Sequence, residues 1–379
     1  MDFNLTPEQS QIRDMARDFA LGELEPVASE YERNSRFPIE NLRKMANLGL
    51  FGMLVPEELG GSATGAVAYS LAVTEGARCC ASTCVTMSVT NMVAEAVHKF
   101  GTDAQKRRFL PMLFGGDFPI GAFALTEPQA GSDARAIRTR AVRQGDSWVL
   151  TGSKAFITSG AFASIVIVYA VTENPEGGKG ISAFVVERGT PGLIVGKEES
   201  KMGLRASNTV ALSFEDCSIP ADNLLGEVGG GFRIAMTALD GGRVGVSSQA
   251  LGIATRALEE AVRYSKERIQ FGKPISELQA IQWMLADSAT ELDAARLLVL
   301  RAATLKEKGI RSTAEASMAK LYATEAANRI CARALQVHGG YGYVTEYIPE
   351  RLLRDCKVTT IYEGTSEIQR IVIARSVLG

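Results

Sequence analysis

Residues 147–151 read Ser147-Trp148-Val149-Leu150-Thr151, a short run rich in β-branched and aromatic side chains. Residues of this kind are enriched in β-strands. Similar short runs recur along the middle of the chain, at 164–168, 181–186 and 209–214. Turn signals separate them, at Gln144-Gly145-Asp146 and Glu176-Gly177-Gly178. Because no helical pattern lies between the runs, residues 119–225 are predicted to form an antiparallel sheet or a small barrel.

The residues before this sheet carry helical signals. Thr6 precedes Pro7 and Gln9, a combination that predicts an N-cap, a proline at the first helical position and a capping box. Apolar side chains then recur with helical spacing, and a second helix is predicted to begin at 41–45. Residues 66–100 are apolar nearly all round, which predicts that this segment is buried.

The residues after the sheet return to helical patterns. Beyond Gly229-Gly230-Gly231, helices are predicted at 232–270, 276–309 and 312–338, with a last one from Ser366. Long helices joined by short connections predict a bundle of antiparallel neighbours. The predicted fold class is α+β with several domains. These are an N-terminal helical domain (1–118), a middle antiparallel, barrel-like β domain (119–228) and a C-terminal four-helix bundle (229–379).

The composition argues against several classes of protein. A chain of 379 residues is too long for one ordinary core, so two or three domains are expected. The net charge is −2, and no basic stripe or polybasic run indicates nucleic acid or an anionic membrane as a partner. The N-terminal residues lack the pattern of a secretory signal, and the longest apolar run, 163–171, is too short to span a bilayer. We therefore expect a cytoplasmic bacterial protein without stable membrane insertion.

The cysteines do not indicate a metal site. Cys79, Cys80 and Cys84 lie close together, but their spacing contains no Cys-x-x-Cys pair. Neither His98 nor His338 lies at a ligand spacing from them. Buried, reduced cysteines are expected, and no metal is predicted.

The sequence lacks the common catalytic motifs: a dinucleotide fingerprint after a strand, a nucleophile elbow, a P-loop and a zincin helix. Three segments nevertheless break local rules, which is where function is expected. The turn-rich loop 126–133 is either a solvated loop or a binding loop. Gly241-Gly242 lies inside a predicted helix, where each glycine lowers the stability of the helix by roughly 1 kcal/mol relative to alanine. The pair marks either a kink or close helix packing, or a group that must approach the backbone. Glu363 precedes a helix with a possible Ser366–Gln369 cap, and is either a surface residue or an accessible carboxylate.

In this order and spacing, the three segments resemble the acyl-CoA dehydrogenase family, most closely the butyryl-CoA and other short-chain enzymes. The resemblance covers essentially the whole chain, and the domain order of the family agrees with the division above. It is carried by residues 125–133, 152–160, 201–207, 239–243, 268–274, 336–342 and 361–369.

The resemblance implies FAD, held between the middle and C-terminal domains. Phe123, Leu125, Thr126 and Ser132 would line the flavin and its phosphates. Phe156 and Thr158 would cover the ring system from the other side. Most relatives carry Trp at the position of Phe156, a departure that the bacterial butyryl-type enzymes share.

The family also implies a cofactor site that is shared between subunits of a homotetramer. The residues expected at the FAD of a neighbouring subunit are Arg268 and Phe271. Gln336 and Gly340 would contact the adenosine end, whereas Thr365 and Glu367 would close over the cofactor.

The resemblance implies that Glu363 removes the α-proton of an acyl-CoA thioester while the β-hydride passes to flavin N5. The backbone N–H of the base and a ribityl hydroxyl of FAD would stabilise the charge on the carbonyl oxygen. Desolvation should raise the pKa of Glu363 towards working pH. Some relatives place the base at the position of Gly242, but a glycine has no side chain that could accept a proton. Expected substrate contacts are Ser132, Asp240, Arg243 and Gly364.

The acyl group is expected to be short, and possibly branched or cyclic. Glutaryl-type relatives hold a carboxylate with an arginine whose position matches Cys84, and residues 79–98 contain no Lys or Arg. Small residues at 83–92 leave room for a branched or cyclic group. The expected electron acceptor is an electron-transfer flavoprotein. Two alternatives remain: an enoyl-CoA reductase working with a flavoprotein partner, and a non-catalytic paralogue.

Overall fold

The computed structural model describes residues 4–174 and 177–379 and begins with helices. The helices before the sheet are α1 (Pro7–Phe19), α2 (Glu25–Asn34), α3 (Ile39–Asn47), α4 (Gly65–Cys79), α5 (Ala81–Phe100), α6 (Asp103–Phe109) and α7 (Pro111–Phe114). The capping box predicted at Thr6 is confirmed. The Thr6 side chain accepts a hydrogen bond from the Gln9 backbone N–H, and the Gln9 side chain accepts one from the Thr6 backbone N–H. The apolar segment 66–100 is two helices, interrupted where Cys80 adopts an extended conformation.

The described residues in the middle of the chain form one sheet of eight strands. They are β1 (Gly121–Ala124), β2 (Arg140–Gln144), β3 (Ser147–Thr158), β4 (Ile165–Glu173), β5 (Lys179–Glu187), β6 (Leu193–Glu198), β7 (Thr209–Pro220) and β8 (Leu224–Leu225). Their order is β6-β7-β3-β2-β4-β5-β8, with β1 beside β4. The turn predicted at 144–146 is confirmed between β2 and β3. Of the turn predicted at 176–178, Glu176 lies outside the described residues.

The sheet is mixed, which corrects the expectation of purely antiparallel pairing. Most pairs are antiparallel, but β1 and β2 both lie parallel to β4. The strands β1, β2 and β6 were not predicted, since they are short and β6 is largely exposed. The long strand β3 shifts register twice along β7, the second time between Lys154 and Ile157. Such an irregularity re-aims the side chains beside it.

The C-terminal helices are α8 (Gly231–Glu267), α9 (Gln279–Glu307), α10 (Thr313–His338), α11 (Pro349–Lys357) and α12 (Ser366–Leu378). Helix α8 ends before the predicted residue 270, because Ile269–Gln270 form a strand (β9) that pairs with Lys273–Pro274 (β10). Helix α8 continues through Gly241-Gly242. None of the described helices is long and apolar enough to cross a membrane.

Contacts between the domains place α4, α5 and the loop before α12 around the first half of α8. The hydroxyls of Thr86 in α5 and Ser159 after β3 lie 3.0 Å apart. Glu32 of α2 accepts from the backbone of Arg205 and Ala206 and from Arg354 of α11, so one carboxylate contacts all three parts of the chain. All six cysteines are free and buried, as expected, and no cluster that could hold a metal occurs within 4–174 or 177–379.

Candidate active site

Glu363 lies in the short loop that precedes α12. Its backbone φ is +55°, and Gly364 follows with φ +87°. Two consecutive left-handed residues reverse the chain, and glycine adopts this conformation at little cost. The loop turns the Glu363 side chain towards α8, where it lies against Gly242. Of the two interpretations of Glu363, the structure excludes a freely exposed surface residue, because its Oε2 is buried.

The cap of α12 differs from the prediction by one residue. The N-cap is Thr365, whose side chain accepts from the Ile368 backbone N–H. Gln369 is not its capping partner, because its amide donates to the backbone carbonyls of Glu363 at 3.2 Å and Gly364 at 2.9 Å. The loop has bent back over the helix start, which brings these carbonyls within reach of Gln369. Thr365 therefore fixes the helix end, while Gln369 holds the loop.

Gly242 leaves open the space that the Glu363 carboxylate occupies. A Cβ at this position would lie 2.8 Å from the carboxyl carbon of Glu363. Real Cβ atoms essentially never approach a neighbour so closely, so the carboxylate occupies the space of the missing side chain. The structure supports the interpretation that the glycines of α8 mark the approach of another group. It also shows that a side chain from 242 and one from 363 reach the same point.

The electrostatic surroundings of Glu363 poise it for proton transfer. Burial raises its pKa to about 7, although the positive charges of Arg243 and Lys320 act to lower it. Its Oε2 atom is buried and has no hydrogen-bond partner among the described residues. A carboxyl group with a pKa near neutrality and one uncommitted oxygen has the properties of a general base.

Lys320 of α10 was missed by the sequence analysis. Its side chain is fully buried, and its Nζ donates to the carbonyl of Gly364 at 2.8 Å. Burial lowers its pKa to about 8. The sequence did contain one signal that could have revealed Lys320. It lies on a helix face whose other residues, Ala316, Ala319 and Ala323, are small and apolar, and a buried lysine is rare at such a position unless it is paired.

The predicted substrate residues of α8 form a pair with each other. The Arg243 guanidinium is buried and donates to Asp240 at 2.6 Å and to the Ser317 hydroxyl at 3.3 Å. Asp240 also accepts from Thr313. The Nε of Arg243 is buried without a partner among the described residues. The carbonyl of Gly364 already accepts hydrogen bonds from Lys320 and Gln369. The substrate contact predicted for Gly364 would therefore have to involve its other backbone atoms.

The predicted flavin-binding segments meet in the middle domain. The backbone N–H of Ala155 donates to the Thr126 carbonyl at 2.9 Å, which brings the loop after β1 against β3. Beyond this contact, Phe156 has φ +57° and its side chain is 66% exposed, whereas Thr158 is half-buried. Phe123 and Leu125 lie at the inner side of the loop, whereas Ser132 is exposed at its outer end. A large, exposed aromatic ring beside a polar loop fits a planar aromatic ligand.

A buried ion pair holds this loop and was also missed. Lys154 and Glu127 are almost fully enclosed, and Lys154 Nζ lies 2.7 Å from Glu127 Oε1 and 3.2 Å from the Leu125 carbonyl. Glu127 also accepts from the backbone N–H groups of Arg138 and Thr139. Although burial raises the pKa of Glu127, these donors outweigh it and hold the pKa at about 2.

A second group of predicted cofactor residues lies far from Glu363. Arg268, Gln336 and Gly340 line an open groove of about 530 Å³, and Phe271 protrudes nearby with 89% of its surface exposed. Arg268 follows Gly242 by 26 residues, which at about 1.5 Å per residue of helix is roughly 39 Å. The described chain therefore does not bring this group to its own Glu363. Thr365 and Glu367, in contrast, lie at the start of α12 beside the loop of Glu363.

The space around Glu363 is bounded by α4 and α5. The Tyr69 hydroxyl lies 2.5 Å from the Cβ position of Gly245, and Ser88 of α5 lies beside both. Burial raises the pKa of Tyr69, and the nearby Glu363 charge acts in the same direction. At 241, a Cβ would meet Lys306 Nζ at 2.8 Å and Glu95 Oε2 at 2.9 Å. Glycines 241, 242 and 245 thus admit groups from four other elements to the backbone of α8.

Comparisons with known proteins identify the family to which the chain belongs. The models of the acyl-CoA dehydrogenase N-terminal, middle and C-terminal domains match residues 6–117, 122–217 and 229–378. The chain is 51% identical over 380 residues to the acryloyl-CoA reductase (NADH) of Anaerotignum propionicum, covering 100% of this chain and 96% of the relative.

Two solved structures are similar over their whole length. Butyryl-CoA dehydrogenase from Megasphaera elsdenii has a TM-score of 0.97 and 45% identity, with 100% of both chains covered. A chain in a structure described as the electron transferring flavoprotein of Acidaminococcus fermentans has a TM-score of 0.97 and 47% identity, again over 100% of both chains.

The chain belongs to the acyl-CoA dehydrogenase family. Members of this family are FAD-dependent oxidoreductases, and close relatives of this chain include acyl-CoA dehydrogenases of the short-chain, butyryl type. The exposed Phe156 ring beside the Thr126 loop fits the flavin of such a cofactor.

Proposed function

We propose that the protein catalyses the α,β-dehydrogenation of a short acyl-CoA thioester, with Glu363 as the base that removes the α-proton. The observation that carries the proposal is the buried, unpartnered Oε2 of Glu363 against the bare backbone of Gly242. A pKa of about 7 lets the carboxylate accept a proton near neutral pH and release it afterwards. Bound FAD supplies the acceptor for the β-hydride.

The backbone amide of Glu363 is the protein's candidate donor to the thioester carbonyl. Among the described residues it donates to no protein acceptor. Gln369 donates to the carbonyl of Glu363 itself and, together with Lys320, to the carbonyl of Gly364, so the loop that carries this N–H is held in place before substrate arrives. A preorganised donor of this kind stabilises the charge that develops on the carbonyl oxygen as the α-proton leaves.

Phe123, Leu125, Thr126 and Ser132 are proposed to line the flavin and its phosphates, with Phe156 and Thr158 on the other side. The contact between Ala155 and Thr126 supports this assignment, because it joins the two segments. Arg268, Phe271, Gln336 and Gly340 are proposed to bind the cofactor of a neighbouring subunit in a homotetramer. Their distance along α8 from Gly242 and the exposure of Phe271 support that division. Thr365 and Glu367 are proposed to close over the chain's own cofactor.

A short, uncharged acyl group fits the surroundings of Glu363 best. Cys84 is fully buried, and residues 79–98 contribute no cation. The fold does bring Lys306 of α9 next to Gly241, which the sequence analysis did not foresee. However, Lys306 lies 2.5 Å from Glu95, a carboxylate that also pairs with Lys99, so Lys306 is already engaged in an ion pair and is not a dedicated partner for a second carboxylate. Asp240 and Arg243 are proposed to contact the CoA part, and the unpartnered Nε of Arg243 supports this.

An electron-transfer flavoprotein is proposed as the electron acceptor, and the match to a chain in a structure of that kind supports it. A second candidate is the reverse reaction, the reduction of an enoyl-CoA with a flavoprotein partner. The 51% identity to an acryloyl-CoA reductase supports this candidate. The buried, unpartnered Oε2 of Glu363 argues against a non-catalytic paralogue.

Anaerobic titration of the FAD-loaded protein tests the proposal. Butyryl-, isobutyryl-, 2-methylbutyryl-, glutaryl- and cyclohexanecarboxyl-CoA are added separately while the flavin absorbance is followed. Bleaching by a short monocarboxylic acyl-CoA, with glutaryl-CoA inactive, is expected. Bound flavin that no acyl-CoA bleaches would exclude the dehydrogenase proposal. NADH-dependent reduction of acryloyl-CoA with a co-purifying partner would then favour the reductase.

A further inference from the structure

Lys320 is a buried cation whose charge no step proposed so far uses. Its Nζ donates to the carbonyl of Gly364, one residue after the proposed base. Gln369 donates to the same carbonyl from α12. The loop that carries Glu363 is therefore held at one atom by two donors, a charged one from α10 and a neutral one from its own helix. Only the charged donor also acts on the Glu363 carboxylate through space.

We infer that Lys320 is a positioning residue for the dehydrogenation, which fixes the Glu363 loop through the Gly364 carbonyl and tunes the basicity of Glu363 by its charge. This inference rests on the proposed function of Glu363 and deepens it. A lysine that is fully excluded from water is costly to bury. A structural requirement alone would be met by a neutral donor, as Gln369 shows. The retained charge therefore needs an electrostatic role, and the carboxylate that acts on it most strongly is Glu363.

The other charges around the two groups do not remove the effect of Lys320. Arg243 from α8 acts on Glu363 in the same direction, but its guanidinium is already paired with Asp240. Glu325 and Glu367 act on Lys320 and help to keep it protonated, and Tyr69 and Tyr362 lie near Glu363 as neutral phenols. Among the described residues, no carboxylate oxygen lies within 4 Å of the Lys320 Nζ, so its charge is not cancelled by direct pairing.

Substitution of Lys320 by Met separates charge from structure. The Gly364 carbonyl keeps Gln369 as a donor, so the variant leaves no orphaned acceptor and is expected to fold. Gln369→Leu is the paired variant, since it removes the neutral donor from the carbonyls of both Glu363 and Gly364 and leaves the charge of Lys320. Lys357→Met is the control for loss of a lysine, because Lys357 is exposed at the end of α11.

The measurement is the pH profile of kcat/KM, with the flavin content of each variant determined first. Removal of a nearby cation favours the protonated carboxyl, so Lys320→Met should move the acidic limb up by roughly one pH unit. At pH values well below the limb, kcat/KM would then be about tenfold lower than in the parent. Gln369→Leu should lower kcat without moving the limb, and Lys357→Met should change neither.

A second readout does not depend on turnover. The carboxyl stretch of protonated Glu363 is obtained by infrared pH titration as the difference between the parent protein and Glu363→Gln. Lys320→Met should shift its midpoint upward by the same amount. An unmoved midpoint in a folded Lys320→Met protein would overturn the inference, even if the parent proves inactive with acyl-CoA. A parent that is active, with a limb that moves equally in Gln369→Leu, would reduce Lys320 to a structural residue.

Discussion

The substitution Gly242→Ala tests how tightly Glu363 lies against α8. The new Cβ would be 2.8 Å from the Glu363 carboxyl carbon and 2.9 Å from its Oε1, so the carboxylate must move by several tenths of an ångström or more. A displacement of about 1 Å in a catalytic group can lower turnover by about 100-fold, or roughly 2.7 kcal/mol in the barrier. We expect kcat with butyryl-CoA to fall by roughly this factor.

The same substitution should not destabilise the protein. In the interior of a helix, alanine is more stable than glycine by up to roughly 1 kcal/mol of folding free energy. The group that the new methyl would meet is the end of the flexible Glu363 side chain, which can move away. Denaturant unfolding should therefore give an equal or higher free energy of unfolding, with unchanged FAD content. Gly22→Ala is the matched control, since no atom lies within 4 Å of its Cβ position. Full activity in Gly242→Ala would refute the close approach of Glu363 to α8.

Two further predictions concern titration and the flavin loop. Because Glu363 must be deprotonated to act and its pKa is about 7, kcat/KM should rise with pH as one group titrates near pH 7 and then level off; a profile that is flat between pH 5 and 8 would contradict this. Lys154→Met leaves the Glu127 charge buried and unpaired, so the free energy of unfolding should fall by roughly 3–5 kcal/mol, together with FAD affinity. Denaturant titration and flavin fluorescence measure these, and the exposed Lys179→Met is the control. In the parent, the pKa of Glu127 is lowered to about 2. Its contribution to stability is therefore complete above its ordinary pKa of 4.5 and is lost as the pH falls towards 2.

Local signals in the sequence were enough for the elements that depend on neighbouring residues. The capping box at Thr6 needs only residues three apart, and the strands around 147–151 and 181–186 are short runs rich in β-branched and aromatic residues. Helix α11 was missed because its charged residues mask its short apolar face. Strand β6 was missed because it is largely exposed.

The interactions that complete the site join residues far apart in sequence, and no local pattern reveals them. Lys320 reaches Gly364 across 44 residues, and Lys306 reaches Glu95 across 211. The motif at 361–369 identified Glu363 through a family resemblance, but the cap at Thr365 depended on how the loop bends. The glycines of α8 were noticed as a break in a helix. Only the fold shows which group each of them admits.

The role of Glu363 is tested most directly by anaerobic stopped-flow mixing of butyryl-CoA with the FAD-loaded parent and with Glu363→Gln. The amide keeps the shape of the side chain but cannot accept the α-proton. With equal FAD content in both proteins, we predict rapid bleaching of the flavin in the parent and bleaching at least about 100-fold slower in the variant. Bleaching of Glu363→Gln at the rate of the parent would contradict the assignment of Glu363 as the base.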